Sequence, residues 1–454
     1  MNAPRRIGIL AGGGSLPREV ADGVAARGLP LHIVAIDSET DADFGPYPVT
    51  RIGWGEIGRM IATFRETGCS DLVIIGSVKR PDLATIKPDL GFFRALATVA
   101  RLVLAGGDDK VLRGVIGFFE KKGLRVVGPG RVAPELIIGA GGLSKKRPDQ
   151  RVLDDARRGF DLIAALGAFD IGQAAVVADG VIEAIEGAEG TDGLLRRLAE
   201  QRRARGLAAS HPRGVLVKRA KPTQDERIDL PVIGPGTITR ALEAGLAGIV
   251  VEAGRVLAAS RAEMALRADA SDLFIAGLEI ARDASAEQRA RAGGKRPGLM
   301  RRWLGPRAGN AGDAAKPMAR RQPPRRSERD IAKGLAIVAA MRAFGGTRAV
   351  VVVRGHVLAV ESGEGVAAAI ERAGKLRQWG DRRTRWRSGV VALAAARECT
   401  PEVVALAARA GFAGFVVGLK RFSASVGAEA IAAADKAGIF IVGVGSEEDG
   451  DGAA

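Results

Sequence analysis

Two cysteines, three histidines and one tyrosine are all that 454 residues hold of three types that carry much enzyme chemistry. Cys69 and Cys399 lie far apart and form no metal or redox motif. His32, His211 and His356 are scattered, which excludes a histidine-held zinc site. Aromatics make up only 4%, too few for a stacking platform that grips single-stranded nucleic acid. No apolar run approaches the roughly 20 residues needed to span a bilayer. The start, Met1–Arg6 followed by Ile7–Ala11, imitates a signal peptide, but Gly12-Gly13-Gly14 breaks the apolar stretch too early. Neither a Gly-x-Ser-x-Gly elbow nor a Walker loop is present. These absences predict a protein of a reducing compartment whose metal, if it uses one, is held by carboxylates.

What is present begins with charge. Lys and Arg total 68 against 52 Asp and Glu, a formal +16. Residues 285–329 carry 13 basic and 3 acidic side chains among Gly293-Gly294, Pro297, Pro306, Pro317 and Pro323-Pro324. About ten of the sixteen charges therefore sit in one Pro/Gly-rich stretch without apolar periodicity, which reads as a linker. No specific nucleic-acid partner is expected; a basic linker that did bind nucleic acid would do so with steep salt dependence.

Short apolar runs at Ile7–Leu10, Leu31–Ile36, Leu72–Ile75 and Arg125–Val127 alternate with helical stretches such as Pro17–Ala26. Ser15 stands near the cap of that helix and Pro17 in its first turn. This βαβ alternation predicts an α/β fold with a Rossmann-like parallel sheet. A second unit also mixes the two: a helix over Asp155–Leu166, then strands at Ala174–Val177, Ile182–Ile185, Val215–Val217 and Ile249–Glu252.

The second unit is duplicated. Asp155–Gly190 laid on Asp330–Gly365, an offset of 175, gives 14 identities in 36 positions without a gap. Further on, Gly245-Leu-Ala-Gly248 matches Gly411-Phe-Ala-Gly414 at an offset of 166, so the later copy is nine residues shorter between Lys218 and Thr237. The expected organisation is an N-terminal domain over 1–145, a mixed α/β domain over 150–284, the linker over 285–329, a degenerate copy over 330–446, and an acidic tail over 447–454.

The segment missing from the copy, Lys218–Pro231, is polar and follows a buried strand, a usual place for active groups. Lys218, Lys221 and Arg227 suit a diphosphate, and Asp225 or Asp229 suits Mg²⁺ or a water. A solvated charged hairpin is the plain alternative. Glu189-Gly190-Thr191-Asp192 precedes a helical stretch, where Thr191 or Asp192 would cap the helix or help build an anion site. The run Gly12-Gly13-Gly14-Ser15 joins a strand to a helix and suits a phosphate, or is simply a tight turn. Asp37 stands near where a dinucleotide fold holds the ribose, but Pro17 replaces the third glycine of Gly-x-Gly-x-x-Gly. Gly76-Ser-Val-Lys79-Arg80-Pro81 and Gly107-Asp108-Asp109 also sit at strand ends or helix starts: Arg80 suits phosphate, and Asp108 a metal or a cap.

Taken together and in this order, these motifs, with Gln224-Asp225-x-Arg227-x-Asp229-Leu-Pro231, resemble the LpxI-type UDP-2,3-diacylglucosamine diphosphatases of lipid A synthesis, over about Ile7 to Leu278. The resemblance implies a two-domain enzyme using a divalent metal, with Mg²⁺ the expected ion. The reaction implied is cleavage of the substrate's diphosphate to UMP and 2,3-diacylglucosamine 1-phosphate. It implies Asp225 as the catalytic residue; Asp225 and Asp229 are the expected metal ligands by their carboxylate chemistry. Substrate contacts are assigned to Gly12, Gly13, Gly14, Ser15, Arg80, Gly190, Thr191, Asp192, Lys218, Lys221, Gln224 and Arg227. The alternative is a nucleotide-sugar-binding regulator of the same fold without turnover. A lipid-linked UDP-sugar also predicts a cytoplasmic protein, peripheral on the inner membrane, where Leu299–Leu304 is either a short basic amphipathic helix or, being barely two turns flanked by prolines, a plain tether. The degenerate copy is expected to be non-catalytic, and to serve in packing or in a homo-oligomer contact.

Overall fold

The computed structural model describes residues 5–40, 42–78, 89, 91–92, 108–207, 211–222, 224–280, 315–379, 386–419 and 425–445. The first elements are β1 (Arg6–Ala11), α1 (Leu16–Ala26), β2 (Leu31–Ile36), β3 (Val49–Ile52), α2 (Ile57–Glu66), β4 (Cys69–Ile75), α3 (Asp108–Glu120) and β5 (Arg125–Val126). The strands form one parallel sheet in the order β3-β2-β1-β4-β5. Ile9, Ile33, Leu72 and Val73 are wholly buried, as strands covered on both faces require. The strand missing from the sequence reading is β3, a half-exposed edge whose Val49 and Arg51 face solvent.

The next stretch runs β6 (Gly141–Gly142), α4 (Gln150–Gly167), β7 (Ala174–Ala178), β8 (Val181–Ile185), α5 (Gly190–Ala204), β9 (Val215–Lys218), β10 (Val232–Ile233), α6 (Pro235–Glu243), β11 (Gly248–Glu252), β12 (Leu257–Ala258), α7 (Arg261–Ala270) and β13 (Phe274–Leu278). The last stretch repeats it: β14 (Ala315–Pro317), α8 (Glu328–Ala340), β15 (Ala349–Val353), β16 (His356–Val360), α9 (Val366–Lys375), β17 (Val390–Leu393), α10 (Pro401–Arg409), β18 (Gly414–Leu419), α11 (Ala428–Ala437) and β19 (Phe440–Gly445). β10 falls in the loop that is longer in the first copy, and the positions equivalent to β12 lie outside the described residues. Between β9 and α6 stand sixteen residues, 219–234; between β17 and α10 stand seven, 394–400. The nine-residue deficit falls wholly in that loop.

Backbone contacts divide the chain into two compact units: Met1–Arg147 with Lys218–Thr239 and Ile249–Ala281, and Pro148–Val217 with Arg240–Gly248 and Arg282–Ala454. The first unit holds the parallel sheet, the pair β10-β12 and the run β6-β13-β11. The second holds β9-β7-β8 and the sheet β14-β19-β18-β17-β15-β16, so each run of the first copy reappears in the later one. The sequence reading ended the linker at Arg329. The structure instead pairs β14 with β19 and buries Ala319, because this segment completes the edge of the later copy's sheet.

Within the second unit the copies agree in detail. Asp155 accepts the amides of Asp179 (2.9 Å) and Gly180 (2.6 Å), and Asp330 those of Arg354 (2.8 Å) and Gly355 (2.6 Å). Each aspartate thus holds a hairpin turn whose two residues have positive φ. Burial pushes the Asp330 carboxyl above its ordinary range. Gly159 and Gly334 let α4 and α8 press on their sheets, since a Cβ there would lie 2.4 Å from Val217 and 2.7 Å from Ala392. The repeated Asp and Gly are therefore architectural.

Candidate functional site

The loop after β9 is anchored from below. Val215, Leu216 and Val217 are fully buried, and they carry Lys218 into a site where it is 8% exposed. Its Nζ donates to the Val232 carbonyl at 2.9 Å. The Lys221 amide donates to Gln224 Oε1 (2.9 Å) and the Gln224 amide to the Lys221 carbonyl (3.1 Å), closing a tight turn in which both side chains are buried. Gln224 Nε2 meets no hydrogen-bond partner among the described residues. Amides of Ile228 and Asp229 then return to the Asp225 carbonyl at 3.1 and 3.0 Å. Ile228 packs on the core beside Ile116 and Phe119, whereas Leu230 and Val232 pack on that beside Val20 and Leu257.

This turn aims Arg227 at Asp225. The guanidinium donates Nε to Oδ1 (2.9 Å) and Nη2 to Oδ2 (2.8 Å), while its backbone amide reaches Oδ1 (3.2 Å). The two-pronged pair holds the Asp225 carboxyl below the usual carboxylate range. Arg227 Nη1 also meets Glu120 at the end of α3 (2.9 Å). From the adjacent Glu226 runs a chain of ion pairs that the sequence reading missed. Glu226 pairs with Arg255 (2.6 Å), Arg255 with Glu252 (3.2 Å), and Glu252 with Arg219 (3.4 Å); Arg255 is 1% exposed. No local spacing signals it, because its members come from separate segments.

The glycine turn serves its neighbour. Gly12 donates to the Ile75 carbonyl (2.9 Å), and Gly13 and Ser77 exchange amide bonds (2.7 and 2.9 Å). A Cβ on Gly12 would lie 2.5 Å from the Ser77 carbonyl oxygen, and one on Gly76 would lie 2.7 Å from the Gly12 carbonyl carbon. Close approach of two turns thus accounts for Gly12 and Gly13, and φ of +90° accounts for Gly14. Ser15 stands at the N-cap of α1 without a side-chain capping bond. It lines a shallow depression with Arg18, Glu19, Ser260, Arg261, Ala262 and Glu263, which holds no residue of the 218–231 loop. Asp37 sits 3.8 Å from Arg51.

Thr191 and Asp192 do not cap α5. The helix starts one residue earlier, at Gly190, with Glu189 at the N-cap, so both side chains fall in its first turn. Thr191 Oγ1 donates to the buried Glu186 carboxylate at 2.8 Å, a structural bond. Lys79, Arg80, Pro81, Gly107 and Leu299–Leu304 lie outside the described residues, as do the side chains of Asp108 and Asp109. Among the described residues no three His, Cys, Asp or Glu side chains converge on a metal position. The carboxylates of Asp225 and Asp229 suit Mg²⁺ in kind, but their number calls for further oxygens from a substrate.

A parallel sheet with packed glycine turns, then a mixed sheet whose loop carries buried lysines and an Asp–Arg pair, defines an α/β protein with a repeated second part. The sequence matches the family model of the LpxI N-terminal domain over residues 6–136. It matches that of the LpxI C-terminal domain twice, over 139–276 and 314–442. A Caulobacter vibrioides protein named UDP-2,3-diacylglucosamine pyrophosphatase LpxI is 39% identical over 277 residues, which are 61% of this chain and 98% of that protein. The chain belongs to the LpxI family. Among the described residues no helix is long and apolar enough to cross a membrane.

Proposed function

We propose that the chain hydrolyses UDP-2,3-diacylglucosamine, the substrate named for its Caulobacter relative, to UMP and 2,3-diacylglucosamine 1-phosphate. The observation that carries this reading is the Asp225–Arg227 pair on a loop that the first copy has and the later copy lacks. Water oxygen bonds to one phosphorus as the bridging P–O bond breaks, and each product leaves as a phosphomonoester. Arg227 holds the Asp225 carboxyl below the usual carboxylate range, so it suits orienting the water or holding an ion better than storing a proton. Lys218, Lys221 and Arg227 oppose the diphosphate charge, and Gln224 offers an amide within the same turn.

A divalent ion, Mg²⁺ by the hardness of these donors, would be held by Asp225, with Asp229 nearby in sequence, and would neutralise charge on the diphosphate. Ser15, Arg80, Asp192 and the glycine turns at 12–14 and 190 belong to the same proposal as contacts for the rest of the substrate. So does action on the cytoplasmic side at the inner-membrane surface, where a diacylated lipid is met. The test is ³¹P NMR of UDP-2,3-diacylglucosamine with the full chain, with and without Mg²⁺. Two phosphomonoester signals are expected with Mg²⁺. Binding without turnover under every divalent ion would overturn the proposal in favour of a non-catalytic sugar-nucleotide binder.

A further inference from the structure

Where the first copy meets the later one in the second unit, two arginines and two glutamates interlock. Arg372 Nη1 donates to both oxygens of Glu189, at 3.2 and 3.3 Å, and Arg197 Nη1 stands 3.4 Å from Glu364. Each arginine also pairs with the glutamate of its own copy: Arg197 with Glu189 at 3.2 Å, and Arg372 with Glu364. Each reaches a carbonyl of its own copy as well, Ile185 at 2.9 Å and Val360 at 3.3 Å. The four side chains are only 1 to 12% exposed. Ala188 packs on the later copy's core beside them, and Gly187 leaves room, since a Cβ there would lie 3.0 Å from the Leu358 carbonyl oxygen.

All three residue pairs, 185 and 360, 189 and 364, 197 and 372, share the offset of 175 that relates the copies. Residue i of one copy therefore meets residue j of the other while j meets i, the exchange that marks a twofold contact between like subunits. The pattern of retention points the same way. Of the ten positions 191–200, only Arg197 is identical in the later copy, as Arg372. The Thr-Asp pair and the nine loop residues are gone, while both arms of the clasp remain.

We propose that the later copy is a built-in partner subunit: it fills, within one chain, a self-complementary face at which a second copy of this domain docks. The face commits to this occupant because each arginine meets the glutamate of the other copy as well as its own, an exchange that a second copy of the same domain supplies. The chain is then complete as a monomer, in place of the homo-oligomer that the sequence suggested.

The test uses the full chain. Sedimentation should show a monomer. Glu189→Arg with Glu364→Arg puts four arginines on the face, and amide exchange over 185–189 and 360–364 should rise by about tenfold or more. Adding Arg197→Glu and Arg372→Glu reverses the whole clasp and should restore protection. Should the double reversal not fold, Glu189→Gln with Glu364→Gln carries the test by the same exchange. A parent dimer that the double reversal splits, or exchange unchanged in the altered chain, would overturn the proposal.

Discussion

Replacing Asp225 by Asn tests the proposed chemistry with little harm to the fold. Asn keeps one acceptor for Arg227 and turns an NH₂ towards it, so one of two charge-assisted bonds and the ion pair are lost. Arg227 is 43% exposed on its side chain and keeps Glu120, which holds the stability cost to about 1 kcal/mol. At a stability of roughly 5–15 kcal/mol the variant stays folded at 25 °C. Removing a group that orients the water or holds the ion should cost kcat/KM about 10²–10⁴-fold, far beyond any loss through unfolding. The later copy offers no rescue, because its turn 394–400 has neither lysine nor aspartate. Steady-state release of UMP, with a thermal melt of the same sample, decides the matter. A variant within about threefold of the parent in kcat/KM would refute the role given to Asp225.

The same pair sets a pH dependence. Asp225's native pKa lies below its unfolded value of about 3.9. Its pairing with Arg227 therefore stabilises the fold fully above that value and is lost as pH falls through the native pKa. Arg227→Met should accordingly raise the acid limb of kcat/KM towards ordinary carboxylate values, read from a pH profile. Chelation by EDTA should abolish turnover and Mg²⁺ restore it, yet Mg²⁺ without substrate should leave the melting temperature unchanged, because two carboxylates of one turn make no cage. Arg255→Met leaves the 2%-exposed Glu252 only its longer contact to Arg219 and should lower stability by about 1–3 kcal/mol in urea unfolding; an unchanged midpoint would refute the buried chain. Gly12→Ala drives a methyl into the Ser77 carbonyl and should cost about 1–3 kcal/mol by the same measurement.

Much of the architecture was legible because it is written in local pattern. Runs such as Val350–Val353 are wholly buried strands, and a buried strand announces itself by β-branched residues in sequence. The duplication was legible because Asp155 and Gly159 recur as Asp330 and Gly334, where hairpin turns and close helix–sheet contacts demand those types, and Glu186 recurs as Glu361, each accepting the backbone amide just before a strand. The loop of 219–234 was singled out by polarity and by its absence from the later copy. Some edge strands escaped: β3 is half exposed, and β14 lies in a proline-rich stretch that pairs only because β19 offers an edge.

What only the tertiary structure decided are the partners of charged groups. Sequence names no protein partner for Lys218, Arg227 or Thr191; the fold gives Lys218 a carbonyl, Arg227 the Asp225 carboxylate and Thr191 that of Glu186. Arg197 and Arg372 look like solvated helix residues in a chain of 68 basic side chains, yet they are buried against glutamates up to 183 positions away. Periodicity reports which face of an element is buried, since that depends on near neighbours. It cannot report which distant carboxylate neutralises a buried guanidinium, because that pairing is fixed only when the two copies pack together.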